Sequence, residues 1–209
     1  AENNELSALN AGVGEWMEVS DELYELIEFG ERVKQRTGGA FDLTVKSILE
    51  GWGYDAAYSL KEGLPGQTGR IELRDGRVKL SAELELGGLG KGYALDRMDS
   101  FLQDFANVCI NAGGDLRVRG VGENGKPWRI VFEHPTDITK GIGYVDTSDL
   151  ALACSSPSRR SWTRGDSASP RRHHLVDPLS GEAAGEMLAV YTQSGSALLA
   201  DAYSTALFV

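Results

Sequence analysis

A glycine-rich stretch, Glu85–Asp96 (ELGGLGKGYALD), constrains this chain most, because it joins a strand-like run to a helix-like run. Upstream, Val78–Leu80 and Leu84–Leu86 alternate apolar and polar side chains, which predicts strands. Downstream, apolar residues recur at steps of three and four, which predicts an amphipathic helix. The residues of this apolar stripe are Tyr93, Ala94, Leu95, Met98, Phe101, Leu102 and Phe105.

Two interpretations of the glycines remain open from the residues alone. A glycine loop at a helix start lets backbone N–H groups approach an anion, and Lys91 adds a positive charge, so the stretch could bind a phosphate or a nucleotide. The alternative is a tight turn that needs glycines for its backbone conformation. The spacing matches neither of the two common nucleotide-binding motifs, GxGxxG and GxxxxGK[ST].

Composition excludes several classes of protein. The 31 acidic residues outnumber the 21 Lys and Arg residues by ten, so a broad nucleic-acid surface is not expected. No apolar run has the length of a membrane span, and no signal peptide or lipobox is visible, which leaves the compartment open. Cys109 and Cys154 lie in apolar, strand-like contexts and are predicted to be buried free thiols.

The order of the elements predicts an α+β fold. Ser20 begins a helix with an apolar stripe, and Arg70–Arg74 and Arg77–Leu80 flank Asp75-Gly76 as a hairpin. The runs 143–146 and 150–156 suggest a second hairpin. Strands are also predicted over 107–112, 116–120, 128–133 and 187–193, and a mobile, arginine-rich loop over 157–172. With no repeat and no linker, we expect one domain, 1–209, around a largely antiparallel sheet.

The final helix, predicted over Ser196–Val209, is almost wholly apolar but carries three oxygen-bearing side chains. Asp201, Ser204 and Thr205 are spaced i, i+3 and i+4, so they share one face. A carboxylate there is costly to bury unless it is paired or binds a cation, and a carboxylate with hydroxyls suits Mg²⁺. The alternative is an aspartate that hydrogen-bonds to hydroxyls at a helix packing seam.

Two further segments carry candidate residues. In Gly39–Val45, Phe41, Asp42 and Thr44 follow a glycine turn; the structural alternative is a core phenylalanine, with Asp42 capping a helix over Leu43–Leu49. In His173–Pro178, a histidine beside the basic loop could act as a general base or hold a phosphate, although a surface or capping histidine is the more common case.

Taken together, these motifs resemble the ApbE family of Mg²⁺-dependent FAD:protein FMN transferases. The resemblance runs from Leu6 to Val209 and keeps the family's order of motifs. The motifs are Leu6–Asn10, Thr37–Thr44, Leu86–Asp96, Asn111–Asp115, His174–Pro178 and Asp201–Ala206.

The resemblance implies a T-fold-like α+β domain and a reaction. FAD is split at its pyrophosphate, FMN is joined through phosphate to a Thr or Ser hydroxyl of an acceptor flavoprotein, and AMP is released. Acceptors implied by the family include FMN-carrying subunits of ion-pumping oxidoreductases and related flavoreductases. A Mg²⁺-dependent FAD pyrophosphatase and a non-catalytic flavin-binding module are the alternatives.

The resemblance also assigns roles to residues. Asp201 and Thr205 should bind Mg²⁺, together with Ser204 and the backbone carbonyl of Gly88. Ala40, Phe41 and Asp42 should line the FAD pocket, with Glu85 and Lys91 near the cofactor. His174 is expected to be the general base or a phosphate contact, acting with Asp201 in catalysis.

The sequence departs from the family pattern at a few points. A first strand and an aromatic-bearing segment that relatives have before Leu6–Asn10, and a closing strand after the final helix, are expected to be absent here. Glu85 stands where the family more often has aspartate. Relatives are often extracytoplasmic, periplasmic or membrane-anchored, which suggests that compartment, with a cytoplasmic location as the alternative.

Overall fold

The computed structural model describes residues 4–55, 57–61, 63–158, 160–162, 172–185 and 187–209. The chain divides into two compact units. The first unit comprises Ala1–Leu86, Arg160–Ala184 and Val209, and the second comprises Gly87–Arg159 and Gly185–Phe208. Most of the predicted mobile loop, residues 159 and 163–171, lies outside the described residues.

The chain alternates helices and short strands. In chain order the elements are α1 (Glu5–Ala11), β1 (Trp16–Glu18), α2 (Asp21–Arg36), α3 (Lys46–Gly51), β2 (Ile71–Arg74), β3 (Arg77–Leu80), α4 (Gly90–Phe101), β4 (Val108–Ala112), β5 (Asp115–Arg119), β6 (Trp128–His134), β7 (Asp137–Thr147), β8 (Asp149–Ser155), β9 (Ser161–Trp162), β10 (Arg172–His173), β11 (Val176–Asp177), β12 (Glu182–Ala183), β13 (Val190–Ser194) and α5 (Ala197–Phe208).

The first unit is built around α2 and a small antiparallel sheet of order β1-β3-β2. The Ser20 hydroxyl accepts a hydrogen bond from the Leu23 N–H, which confirms the predicted helix start. The predicted apolar stripe of α2 is buried, and Ile27 within it is fully enclosed. The β2–β3 hairpin turns at Asp75 and Gly76, both with positive φ, as a two-residue turn of this sequence requires.

The second unit has a four-stranded sheet of order β13-β8-β5-β4, in which every neighbouring pair is antiparallel. Because side chains alternate along a strand, its two faces are covered by different elements. Val108, Ile110 and Ala151 pack with Leu95 and Ala197 of the two helices α4 and α5.

The opposite face of this sheet packs against the β6–β7 ribbon. Val118, Leu150 and Leu152 form a second buried cluster there with Ile130 of β6. The sheet is therefore sandwiched between two helices and a β-ribbon. The mixed helices and antiparallel sheets confirm the predicted α+β class.

Some boundaries in the sequence interpretation were wrong. Leu84–Leu86 belongs to no strand, and the Glu85 N–H donates to the carbonyl of Leu43 instead of to a strand ladder. The hairpin predicted between 143–146 and 150–156 does not form: β7 pairs with β6, and β8 pairs with β5 and β13. The strand predicted over 187–193 begins at Val190.

The buried faces of two segments also differ from prediction. In α4, Met98 and Phe101 are exposed, as is Phe105 beyond the helix end, because this helix turns charged residues toward its neighbours. Cys109 is exposed and Cys154 only half-buried, so the predicted buried thiols were wrong for Cys109; its side chain lies on the β4 face opposite Val108 and Ile110.

Candidate active site

The crossing of α4 and α5 brings the glycine stretch to the final helix. A β-carbon at Gly92 would lie 2.2 Å from the backbone oxygen of Ala197, so only glycine permits this approach. At this distance the Gly92 N–H donates to Asp201 Oδ2 over 2.9 Å. Asp201 itself is 2% exposed. The glycine of the loop thus serves helix packing and satisfies one oxygen of a buried carboxylate.

The other Asp201 oxygen belongs to a three-residue charge cluster. Lys91 Nζ lies 3.1 Å from Asp201 Oδ1 and also pairs with Asp115 Oδ2. Asp115 is buried at the start of β5, and its Oδ1 accepts a hydrogen bond from the Cys154 N–H. The lysine side chain keeps 43% of its surface exposed. Two buried carboxylates therefore share one partly exposed ammonium group.

The environment shifts the proton affinities of this cluster. Burial raises the pKa of Asp201, although the Lys91 charge and the Gly92 N–H act against it. Burial alone would lower the pKa of Lys91, but the negative charges of Asp201 and Asp115 outweigh it and raise that pKa overall. Lys91 is therefore a permanent cation in the neutral range of pH.

A row of hydroxyl groups continues the site along α5. Ser204 Oγ is fully buried, donates to the backbone oxygen of Asp201 and lies 2.8 Å from Ser155 Oγ. Thr205 Oγ1 is 3.4 Å from the same serine hydroxyl and is less buried. Ser155 lies on the sheet face that β8 turns toward the helices. The hydroxyl of Thr205 is thus less tightly hydrogen-bonded within the protein than that of Ser204.

A carboxylate from α4 fixes the start of α5. Asp96 accepts hydrogen bonds from the N–H groups of Ala197 and Leu198, and from the hydroxyl of Ser196. It therefore acts as a helix cap donated by a neighbouring helix. These hydrogen bonds fix the position of α5 along α4, and therefore the position of Asp201 relative to Lys91.

The first unit holds the candidates of the segment after α2. Asp42 is buried, pairs with Lys34 at 2.7 Å and accepts hydrogen bonds from the N–H and the hydroxyl of Thr44. It does not cap a helix, since α3 begins only at Lys46 without a side-chain cap, so the alternative in which Asp42 caps a helix over Leu43–Leu49 is wrong. Phe41 is 3% exposed and belongs to the core, and Ala40 lies beside it, half-buried.

The two neighbouring histidines differ in their surroundings. His173 is buried, and its ring nitrogens meet the Ala184 carbonyl at 2.7 Å and the Leu175 N–H at 3.3 Å. His174 is half-buried, with Nδ1 3.4 Å from the carbonyl of Arg160 and its ring against Tyr54. His173 is thus structural, and His174 is the more suitable candidate for chemistry.

The remaining predicted residues occupy the segment before α4. Glu85 is half-buried and belongs to the first unit. Gly88 belongs to the second unit and lies in the turn just before Leu89, the N-cap of α4. Within the described part of the chain, no three His, Cys, Asp or Glu side chains cluster closely enough to hold a metal ion. In the same residues, no helix is long and apolar enough to cross a membrane.

Sequence reasoning missed three residues of this site. Asp115 and Asp96 stood within quoted motifs but received no role, and Ser155 was seen only as part of a strand. Their partners are distant along the chain: Asp115 is 24 positions from Lys91 and 39 from Cys154, Ser155 is 49 from Ser204, and Asp96 is 102 from Leu198. Two sequence signals could have pointed to these carboxylates: Asp115 directly follows the pair Gly113-Gly114, and Asp96 lies within a predicted helix that is rich in apolar residues.

Comparison with known proteins identifies the family. The ApbE family profile matches residues 1–209, the whole sequence. This chain belongs to the ApbE family. Among solved structures, the ApbE protein of Thermotoga maritima is 31% identical and superposes with a TM-score of 0.88, over 100% of this chain and 73% of that one.

Curated ApbE relatives carry a functional name. The FAD:protein FMN transferase of Klebsiella pneumoniae is 27% identical over 91% of this chain and 60% of that protein. The enzyme of the same name from Rhodobacter capsulatus is 30% identical over 98% of this chain and 42% of that protein. The chain therefore spans less than two thirds of the length of these relatives.

Proposed function

We propose that this chain carries out the reaction named for its ApbE relatives, the transfer of FMN from FAD to an acceptor flavoprotein. In the proposed reaction a Thr or Ser hydroxyl of the acceptor attacks the FMN phosphorus of FAD. A new P–O bond forms, the pyrophosphate P–O bond breaks, and AMP leaves. One observation carries the proposal: buried oxygen-bearing side chains surround Asp201, and the partly exposed side chain of Lys91 pairs with it. These residues belong to the motifs through which the chain resembles the ApbE family.

The donor chemistry of this cluster fits a magnesium ion. Asp201 Oδ1 and Thr205 Oγ1 are hard oxygen donors, which Mg²⁺ prefers, and Asp115 adds a second negative charge nearby. Ser204 fits less well, since its buried hydroxyl already donates to a backbone oxygen. We propose Asp201 and Thr205 as side-chain ligands, with the carbonyl of Gly88 as a third. A magnesium ion bound there would supply the positive charge that polarises the phosphorus under attack.

The chain's own groups around the phosphates have complementary roles. Helix α4 begins at Gly90 and its N-cap, Leu89, makes no side-chain cap; the Gly92 N–H donates to Asp201, and the N–H groups of Gly90 and Lys91 would be available to an anion, which the helix dipole favours there. Lys91, on the same turn, has a partly exposed side chain and would reach a phosphate oxygen by turning its ammonium group away from Asp201. These groups would stabilise negative charge as it develops in the transition state.

The roles of the first-unit residues are proposed from the resemblance to the ApbE family. We propose that Ala40, Phe41, Asp42 and Glu85 serve the flavin side of FAD binding. We assign to His174 the acceptance of the hydroxyl proton or a contact to phosphate, a role for which its half-buried imidazole ring is suited.

The test measures both products in one reaction. The chain is incubated with FAD, Mg²⁺ and an acceptor flavoprotein, and AMP release and in-gel flavin fluorescence are followed together. Asp201→Asn keeps the size and the Gly92 contact of the side chain but removes its charge, so we expect a loss of on the order of a hundredfold or more in rate. Asp146→Asn, which removes an exposed charge in the same unit, should keep full activity.

Other outcomes would contradict parts of the proposal. Wild-type flavin transfer by Asp201→Asn would refute its role. AMP release at the same rate with and without acceptor would instead indicate an FAD pyrophosphatase. FAD binding without AMP release under any condition would indicate a flavin-binding module.

A further inference from the structure

Lys91 occupies the position that a cation would take between two buried carboxylates. Its ammonium group pairs with Asp201 Oδ1 and with Asp115 Oδ2 at once, and it projects from the first turn of α4 with part of its surface in solvent. A lysine side chain has a flexible four-carbon stem, so its head can move by several ångströms while α4 stays fixed. Asp201 Oδ2, by contrast, is held by the backbone of α4.

We propose that Lys91 and a divalent cation exchange at Asp201 Oδ1, and that Asp115 is the positioning residue that retains Lys91 during the exchange. In one arrangement the ammonium bridges both carboxylates. In the other, the cation takes Asp201 Oδ1 and the ammonium stays on Asp115 alone. This inference rests on the proposed function, because it concerns the same cation.

The surroundings of Asp115 suit this role. Its Oδ1 accepts from the Cys154 N–H, so the carboxylate is fixed to the sheet and directs only Oδ2 toward Lys91. With Asp115 in place, Lys91 keeps a counter-ion after leaving Asp201 and need not be expelled into water. Without Asp115, Lys91 would have no carboxylate partner among the described residues once its ammonium group left Asp201, and an uncompensated charge would remain in the site.

The proposal predicts opposite effects of two single substitutions on cation affinity. Lys91→Met keeps the apolar stem but removes the competing charge, so Mg²⁺ should bind more tightly. Asp115→Asn keeps the shape but leaves Lys91, among the residues that the structure describes, paired with the Asp201 carboxylate alone, so Mg²⁺ should bind more weakly. A unit charge within a few ångströms changes ion affinities by about tenfold or more, which sets the expected size of both effects.

The double variant separates a positioning role from plain electrostatics. If Asp115 acts through Lys91, then Asp115→Asn should lower the affinity about tenfold in the wild-type background. In the Lys91→Met background the loss should be smaller, because no lysine remains to be retained and Asp115→Asn then removes only the direct effect of the Asp115 charge on the cation. If Asp115 were itself a ligand or only a nearby charge, the loss in the Lys91→Met background would be at least as large as in the wild type, because Lys91 would no longer offset the Asp115 charge.

The experiment is a calorimetric titration of the chain with MgCl₂ alone, without FAD, for the wild type, both single variants and the double variant. Asp146→Asn is the control for loss of an exposed charge in the same unit and should match the wild type. Circular dichroism confirms that each variant is folded. A loss in the Lys91→Met background that equals or exceeds the loss in the wild type, or unchanged affinity in Lys91→Met, would overturn the proposal.

The outcome is distinguishable from failure of the proposed function. If the wild type and Lys91→Met both bind no Mg²⁺, the metal assignment at Asp201 fails, and the exchange fails with it. If the wild type binds Mg²⁺ but the variants do not follow the predicted order, only the exchange fails. Activity measurements enter neither conclusion.

Discussion

The close crossing of α4 and α5 makes Gly92 the most informative position for a stability test. The substitution Gly92→Ala adds one methyl group whose carbon would lie 2.2 Å from the Ala197 oxygen, 2.6 Å from its carbonyl carbon and 2.7 Å from the Leu198 Cα. All three atoms belong to the backbone, so no side-chain rotation can relieve the overlap. An ordinary contact begins at 3.4 Å, so the helices must separate by about 1.2 Å.

The cost has two parts and one offset. Overpacking of this kind costs about 1–3 kcal/mol. Separation of the helices also weakens the bond from the Gly92 N–H to the Asp201 carboxylate, a charge-assisted hydrogen bond of about 1.5–3 kcal/mol. Alanine is favoured over glycine inside a helix by about 1 kcal/mol. The net expectation is a loss of about 1.5–5 kcal/mol in the free energy of unfolding.

Gly90→Ala is the matched control, because it adds the same methyl group two residues earlier on the same helix. A β-carbon at Gly90 meets nothing within 4 Å, so its substitution should be neutral or stabilising by up to about 1 kcal/mol. Urea unfolding followed by circular dichroism compares the two variants. If they unfold within about 0.5 kcal/mol of each other, the helices do not depend on this approach and the reasoning is refuted.

Further predictions follow from other charged groups. Asp96→Ala removes the cap that α4 donates to α5 and should cost about 2 kcal/mol by the same urea assay, whereas Asp96→Asn should retain part of it; equal losses would show that the cap oxygens are not the cause. Burial raises the pKa of Glu31, whose Oε1 has no hydrogen-bond partner among the described residues. Because its folded pKa lies above the unfolded one, ionisation should reduce stability as pH rises through that interval. Glu31→Gln should therefore be more stable than the wild type at pH 7, with the difference vanishing below the ordinary glutamate pKa of about 4.3; a difference that persists in acid would exclude this cause. Arg119 donates to the carbonyls of Leu102 and Phe105 after α4, so Arg119→Met should cost about 1–3 kcal/mol, measured by thermal unfolding, and an unchanged melting temperature would contradict it.

Local signals predicted the elements that depend on nearby residues. The α2 start at Ser20 and the hairpin at Asp75-Gly76 each rest on contacts between residues at most nine positions apart, and both are confirmed. The oxygen-bearing face of α5 was also visible, because helical spacing places Asp201 and Thr205 together regardless of what packs on them. These features needed no knowledge of the tertiary structure.

The errors concern residues whose partners are distant in sequence. The apolar stripe predicted for α4 assumed that its apolar side chains face the core, yet Met98 and Phe101 point to solvent. The inward side of the helix instead carries Asp99, which pairs with Arg117 and Arg119 of β5. No periodicity of apolar residues can reveal a face that is buried through ion pairs.

This arrangement explains why the glycine stretch and the final helix depend on each other. Helix α4 presents Lys91, Asp96 and Asp99 to the rest of its unit, and each meets a specific partner. Apolar packing tolerates sliding and rotation better than paired charges do, because a shifted ion pair leaves a buried charge uncompensated. The position of Asp201 is thus set at three points along α4, by Asp96 at the start of α5, by the missing side chain of Gly92, and by Lys91. A site built in this way can hold one carboxylate oxygen rigidly through the Gly92 backbone, while the other meets the ammonium group at the end of the flexible Lys91 side chain. Cation exchange at Asp201 requires this asymmetry.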